Sequence, residues 1–244
     1  MNGFLAAMRR LFRSAPEPAP APPPAMPVVA VGEGIDWPRV LRAAGFADSV
    51  MWARWIAPVA QRRAINTPRR AAAFAATIGH ESGGGTRLEE NMRYSARRLT
   101  EIWPRRFPTI EAALPFAWDP SDPDREDIAL ANLVYGARMG NQHNGTADDD
   151  GWERRGRGLV GLTGMDAYRL AADALGLPLV QQPDLASQPN VAAEIAGWTW
   201  SDWKKCNPMA DRGDVKAWRR AINGGLIGLD DVERRYEAAL KVAG

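Results

Sequence analysis

The chain has 244 residues, 45% hydrophobic and 25% charged, enough for one sizeable domain and a short appendage. A formal net charge of only +2 gives no bulk electrostatic case for nucleic-acid binding. The single cysteine, Cys206, excludes a disulfide framework and leaves too few thiols for a zinc site.

Residues 1–14 read as a short amphipathic helix. Phe4, Leu5, Met8, Leu11 and Phe12 share one face, and Arg9, Arg10 and Arg13 make the other side basic. Two readings stand: a membrane-surface contact, or a frayed terminal helix. The basic residues follow the apolar ones, the reverse of the order in a signal peptide. No apolar run reaches the roughly 18 residues that a membrane span needs. Residues 15–30, rich in alanine and proline, favour polyproline II and read as a semi-rigid linker. Residues 31–244 are expected to form the globular domain. Helical periodicity dominates there, over 37–45, 49–62, 68–81, 95–103, 126–138, 166–175, 191–205, 214–223 and 230–242. Leu159–Leu162 is the best short strand candidate, and 119–123, 140–151 and 176–190 read as loops. The expected fold is mainly α with little β structure.

The helix over 68–81 opens on Thr67-Pro68, a capping residue followed by proline at the first helical position. Phe74, Ile78 and Glu81 fall on one face, so a carboxylate sits at the end of an apolar stripe. Burying it there is costly unless it is paired or protonated, and an apolar wall favours the protonated form that a general acid needs. Gly83-Gly84-Gly85 must end the helix. Glu89 and Glu90 follow. On a continuous helix Glu81 and Glu90 would point about 180° apart, but a glycine break lets the chain turn back so that two carboxylates flank a cleft, the pattern of glycoside hydrolysis. Spacing does not choose between Glu89 and Glu90.

Other chemistries are thinner. His80-Glu81 lacks the second histidine, four residues on, of a zinc protease, since position 84 is glycine. Ser82 has no nucleophile-elbow sequence around it. Arg154-Arg155-Gly156-Arg157-Gly158 lacks phosphate-loop spacing and reads as a tight turn with solvated arginines. Asp148-Asp149-Asp150 lacks the alternation of a calcium loop and reads as solvated. Ten tryptophans are many for this length. Trp103, Trp118 and Trp152 are candidates for a saccharide groove, whereas Trp198, Trp200 and Trp203, at helical spacing in an apolar segment, read as core. Cys206 reads as a buried thiol beside Trp203.

Together, several motifs resemble glycoside hydrolase family 19. His80-Glu81-Ser82-Gly83-Gly84 is similar to its first active-site motif. Glu90-Asn91-Met92-Arg93-Tyr94-Ser95 resembles the second and singles out Glu90. Trp103-Pro104-Arg105-Arg106-Phe107-Pro108, Tyr135-Gly136-Ala137-Arg138-Met139-Gly140-Asn141, Gly151-Trp152, Arg155-Gly156-Arg157-Gly158-Leu159, Leu162-Thr163-Gly164 and Ile222-Asn223-Gly224-Gly225 follow in order. Order and spacing resemble the bacterial and phage branch, the chitinase-like endolysins, over roughly residues 70–240.

The resemblance implies a two-lobed, lysozyme-like fold with a central cleft and an inverting mechanism that needs no cofactor or metal. It implies Glu81 as the acid, Glu90 as the base and Thr163 as a residue that holds the attacking water. Asn223, Tyr94, Arg157, Tyr168 and Trp152 would serve the substrate or support the carboxylates. The implied substrate is peptidoglycan, with chitin as the alternative. A monomer made in a bacterial host's cytoplasm and acting at the cell wall would fit, with no nucleic-acid partner. A non-catalytic wall-binding or phage structural module is the reading of a different class. Three positions depart from the family: Gly161 where glutamine is usual, Ala167 where asparagine is usual, and Val232 where an arginine is common, with Arg234 and Arg235 nearby. These departures bear on sugar subsites and polymer preference and leave both carboxylates in place.

Overall fold

Val31–Gly244 forms one compact unit. The computed structural model describes residues 34–119, 121, 128–142 and 149–244, so the expected terminal helix at 1–14, the linker at 15–30 and His143 lie outside the described residues. Helix dominates. In chain order the α-helices are α1 (Trp37–Ala43), α2 (Ser49–Arg62), α3 (Pro68–Glu81), α4 (Ala96–Ile102), α5 (Ile110–Ala113), α6 (Ile128–Tyr135), α7 (Asp150–Glu153), α8 (Met165–Leu175), α9 (Pro189–Trp198), α10 (Asn207–Asp211), α11 (Val215–Asn223) and α12 (Leu229–Leu240).

Helix starts follow local chemistry. Asp36, Asp48 and Thr67 each accept a hydrogen bond from the backbone N–H three residues on, at 3.1, 2.9 and 3.3 Å, and so cap α1, α2 and α3. Helix α3 is the centre of the molecule. Its nine residues from Ala71 to Gly79 are all buried, so the helix is enclosed on every side and not only along the Phe74–Ile78 stripe. Alanine makes this feasible, because small side chains let α12 lie along the helix while α1 and α10 also pack on it. Around it, Trp52, Phe74, Trp200 and Trp218 are almost fully buried, each contributing about 1.5–3 kcal/mol by the ordinary area relation.

The apolar side chains define two lobes. The large lobe holds the cluster around α1–α3 and α9–α12, together with Leu162, Tyr168, Leu179, Ile195 and Trp198. The small lobe is built on Met92, Leu99, Phe107, Ala113, Leu130, Ala131 and Val134, from α4, α5, α6 and the segment before α4. The chain passes between them at Glu89–Met92 and again at Arg155–Thr163.

Three local expectations are corrected. Leu159–Leu162 is not a strand. Gly158 and Gly161 have φ of +77° and +63°, and the segment closes as a turn through Arg157 N–H to Leu162 O (3.1 Å) and Leu162 N–H to Arg157 O (2.8 Å). The single helix expected over 191–205 ends as α9 at Trp198 and continues as a π-helical turn over Thr199–Trp203. That turn buries Trp198 and Trp200 but leaves Trp203 38% exposed, stacked on Trp198 at 5.2 Å with the Lys204 ammonium 3.8 Å from its ring centre. The arginines of the 154–157 segment are not solvated: Arg154, Arg155 and Arg157 are buried, and so is Asp150, which pairs with Arg154 at 2.8 Å.

Candidate active site

Glu81 is the last residue of α3, and the turn after it is fixed by its own chemistry. Buried Ser82 donates its hydroxyl to Ile78 O (2.6 Å) and accepts from Gly85 N–H (2.8 Å). It serves the turn. Gly83, Gly84 and Gly85 all take left-handed conformations, and a side chain on Gly84 would meet Gly45 O at 2.1 Å. The chain therefore leaves the helix sharply and returns toward Glu89 and Glu90.

Glu81 does not lie against an apolar wall. Its carboxylate pairs with the guanidinium of Arg219, a buried residue of α11. The same guanidinium donates from Nε to Ile227 O at 2.8 Å, and its other terminal nitrogen lies 3.4 Å from His80 Nε2. A guanidinium only donates, so Nε2 is the acceptor there and Nδ1 carries the hydrogen given to Asp231 at 2.7 Å. Arg235 donates to the same Asp231 oxygen at 2.7 Å. Burial alone would raise the Asp231 carboxyl, but the bonds from His80 and Arg235 outweigh it and hold it at about 2. A hydrogen-bonded chain thus runs from Glu81 through Arg219 and His80 to α12.

The Glu90 carboxylate is held by neutral donors, while Arg155 Nε donates to its backbone carbonyl at 3.1 Å. Tyr135, at the end of α6, donates its hydroxyl across both carboxylate oxygens, 2.9 Å from each. Tyr94 donates to Oε1 at 3.3 Å, and Gly156 N–H to Oε2 at 3.3 Å. The backbone is tied as well, Glu90 N–H donating to Gly156 O at 2.9 Å. Burial, with the neighbouring Glu90 charge and hydrogen bond, pushes Tyr94 up to about 12 and Tyr135 higher still. Both phenols therefore stay protonated as donors. Glu89, the neighbouring candidate, is engaged elsewhere: it pairs with Arg155 at 2.7 Å and accepts from Ser187 Oγ at 2.9 Å.

The remaining sequence candidates divide. Thr163 stands beside Glu90. A methyl placed on Gly156 would meet Thr163 Oγ1 at 3.4 Å and Glu90 Oε2 at 3.5 Å, so the two oxygens border the same small space. Asn223 is exposed at the end of α11. Arg157 and Tyr168 are not positioned to touch substrate: they are 2% and 0% exposed. Arg157 pairs with Asp184 at 2.7 Å, and Tyr168 donates to Arg155 O at 3.3 Å. They brace the segment that carries Gly156. One face of the Trp152 ring is covered by the Arg155 guanidinium at 3.8 Å. Trp103 packs edge-on against Tyr94 at 5.4 Å, and the Trp118 backbone N–H donates to Tyr94 O at 2.8 Å, so both support the Tyr94 side of the site. Among the described residues, no group of three or more His, Cys, Asp or Glu is placed to hold a metal ion.

Arg219 and Tyr135 were not among the sequence candidates. Tyr135 opens a family motif, so its presence was visible although its role was not. Val232, where the family commonly has an arginine, is a fully buried apolar residue of α12.

Two oriented carboxylates, one with a cation and one with a hydroxyl beside it, supply what acid–base hydrolysis requires. No family model matches the chain. A "Glycosyl hydrolase family 19 domain-containing protein" from Haemophilus influenzae (strain ATCC 51907 / DSM 11121 / KW20 / Rd) is 34% identical over 169 residues, 69% of this chain and 78% of that protein. Chitinase 11 of Oryza sativa subsp. japonica is 54% identical over 64 residues, spanning 26% of this chain and only 25% of the rice protein. Among solved structures, chitinase C from Streptomyces griseus HUT6037 is similar in fold, with a TM-score of 0.53 and 19% identity over 88% of this chain and 78% of that one. With the long Haemophilus match on one side and the shared fold on the other, the chain belongs to glycosyl hydrolase family 19 and is a glycoside hydrolase.

Proposed function

We propose that the chain hydrolyses the β-1,4-linked aminosugar backbone of bacterial peptidoglycan as an endolysin-type muramidase, by a single inverting displacement. Glu81 protonates the leaving glycosidic oxygen, and Glu90 takes a proton from the attacking water. The observation that carries the reading is the contrast in how the two carboxylates are held. When Glu81 gives up its proton it becomes an anion, and Arg219 is already in place to stabilise it. The Glu90 carboxylate accepts from two phenols and a peptide N–H, while the Arg155 guanidinium bonds its backbone carbonyl. Thr163 borders the space where the water would stand, and exposed Asn223 would bind sugar.

Peptidoglycan is favoured over chitin by the order and spacing of the motifs and by a core stabilised without any disulfide, Cys206 being single and buried. Chitin is the second reading, carried by the rice relative's name. The deciding experiment is release of soluble sugar from purified sacculi and from colloidal chitin, assayed side by side. Release from sacculi alone is expected. Release from chitin alone would overturn the substrate, and binding to sacculi without release would favour a wall-binding module. The basic segment 1–14, outside the described residues, is proposed to meet an anionic membrane surface on the way to the wall. Deleting residues 1–30 should then lower lysis of intact cells while sacculus cleavage is kept; equal lysis by both forms would remove that role.

A further inference from the structure

We propose that Gly156 is a positioning residue for the attacking water: its missing side chain leaves open the seat between Glu90 and Thr163. The inference rests on Glu90 as the base.

Most glycines near the site are required by the fold. Gly84 and Gly158 have left-handed backbones, and side chains on them would strike Gly45 O at 2.1 Å and Ala186 O at 2.9 Å. Gly151 has an ordinary φ, but a side chain there would meet Ala131 O at 2.6 Å. Gly156 meets neither condition. Its φ is not positive, and an added methyl would find only ordinary contacts, with Thr163 Oγ1 at 3.4 Å, Glu90 Oε2 at 3.5 Å and Glu90 Cβ at 3.6 Å. What the methyl would take is the space between a carboxylate oxygen and a hydroxyl oxygen, on a residue that is part exposed.

The groups around that space are already oriented. Gly156 N–H donates to Glu90 Oε2 at 3.3 Å and Gly156 O accepts from Glu90 N–H at 2.9 Å, so the glycine's own backbone fixes the carboxylate beside it. Thr163 donates its hydroxyl hydrogen to Gly161 O at 2.8 Å. Its oxygen therefore faces the space as an acceptor. A water seated over Gly156 donates one hydrogen to Glu90 and the other to Thr163, which leaves a lone pair free for the anomeric carbon. As the new carbon–oxygen bond forms, the glycosidic carbon–oxygen bond breaks. The water's proton passes to Glu90, and the departing oxygen takes the proton of Glu81.

The test is Gly156→Ala in the full chain, alongside Thr163→Val and Glu90→Gln. The probe is a soluble chito-oligosaccharide or peptidoglycan fragment that the wild type cleaves. Because the new contacts are ordinary, the alanine variant should fold, with melting temperature and oligosaccharide affinity near wild type. Its kcat should fall by at least tenfold and toward the ~10²–10⁴-fold loss expected when a general base is disabled. Thr163→Val keeps the shape and removes the acceptor oxygen, and it should show the same split between lowered kcat and retained binding, which a merely structural role would not produce. Gly156→Ala with kcat within tenfold of wild type, in a background where Glu90→Gln is inactive, overturns the proposal alone. If Gly156→Ala fails to fold, wild-type kcat in Thr163→Val overturns it. An active Glu90→Gln instead overturns the assignment of the base.

Discussion

The surroundings of Glu81 and Glu90 are built on opposite principles. Glu81 belongs to a hydrogen-bonded chain with a cation beside the carboxylate, anchored in the large lobe, where Arg219, His80, Asp231 and Arg235 link α3, α11 and α12. The Glu90 carboxylate is held by a neutral set anchored partly in the small lobe, Tyr94, Tyr135 and a peptide N–H, with Arg155 bonded to the backbone carbonyl behind it. On the proposed roles, with Glu81 the acid and Glu90 the base, the difference has a chemical reason. An acid is left with a negative charge in its product state, which a fixed cation stabilises. A base must keep its affinity for a proton, and neutral donors orient it at less cost to that affinity than a cation would.

The largest effect should come from removing either carboxylate. Glu81→Gln and Glu90→Gln are each expected to lower kcat by about 10²–10⁴-fold with the fold intact by circular dichroism. Near wild-type activity in either would break the pairing of roles.

Arg219→Ala comes next. It leaves the Ile227 carbonyl and the Glu81 carboxylate without their shared partner. It should destabilise the fold by about 3 kcal/mol in urea unfolding, as expected for truncating one partner of a largely buried pair, and lower kcat as well. Arg219→Lys should recover only part of the activity, because a single ammonium does not reproduce a planar fork that serves Glu81, Ile227 and His80 together. Full recovery by lysine would mean that charge alone matters.

Tyr135→Phe tests the neutral side. Losing one hydrogen bond to a charged group is worth about 1.5–3 kcal/mol, so kcat should fall by roughly tenfold or somewhat more. Tyr94→Phe, whose bond is longer, should cost less. A larger loss at Tyr94 than at Tyr135 would reverse the ranking read from their distances.

These partners mark where the sequence was informative. Helix α3 was legible because its signals are local: Thr67-Pro68 at one end, three glycines at the other, and alanine between. Glu90 was separable from Glu89 only through the family resemblance; in the structure, Glu89 pairs with Arg155. Arg219 was not legible, because its partner is 138 residues away along the chain and no periodicity links α11 to the end of α3. Arg157 and Tyr168 were expected at the substrate and are buried, since a polar side chain that braces a loop reads in sequence like one that lines a groove.

The smallest effect concerns pH. Tyr94 is raised in the folded protein to about 12 from an ordinary value near 10. A raised value means that the folded state favours the protonated phenol. This contribution is fully present below about pH 10 and lost as the pH rises toward 12. Stability should therefore decline over that alkaline window, and Tyr94→Phe should flatten the decline. An unchanged alkaline profile in the variant would remove Tyr94 as its source.

The stereochemistry of the first product tests the division of roles most directly. If Glu81 protonates and Glu90 activates water in one displacement, a β-linked substrate yields an α-anomer, and no sugar becomes covalently attached to the enzyme. Proton NMR of a soluble chito-oligosaccharide or peptidoglycan-fragment digest, recorded before mutarotation, reads this at once. The α-anomer should appear first and decay toward equilibrium; an initial β-anomer would mean double displacement and would contradict the roles given to Glu90, Thr163 and the water between them.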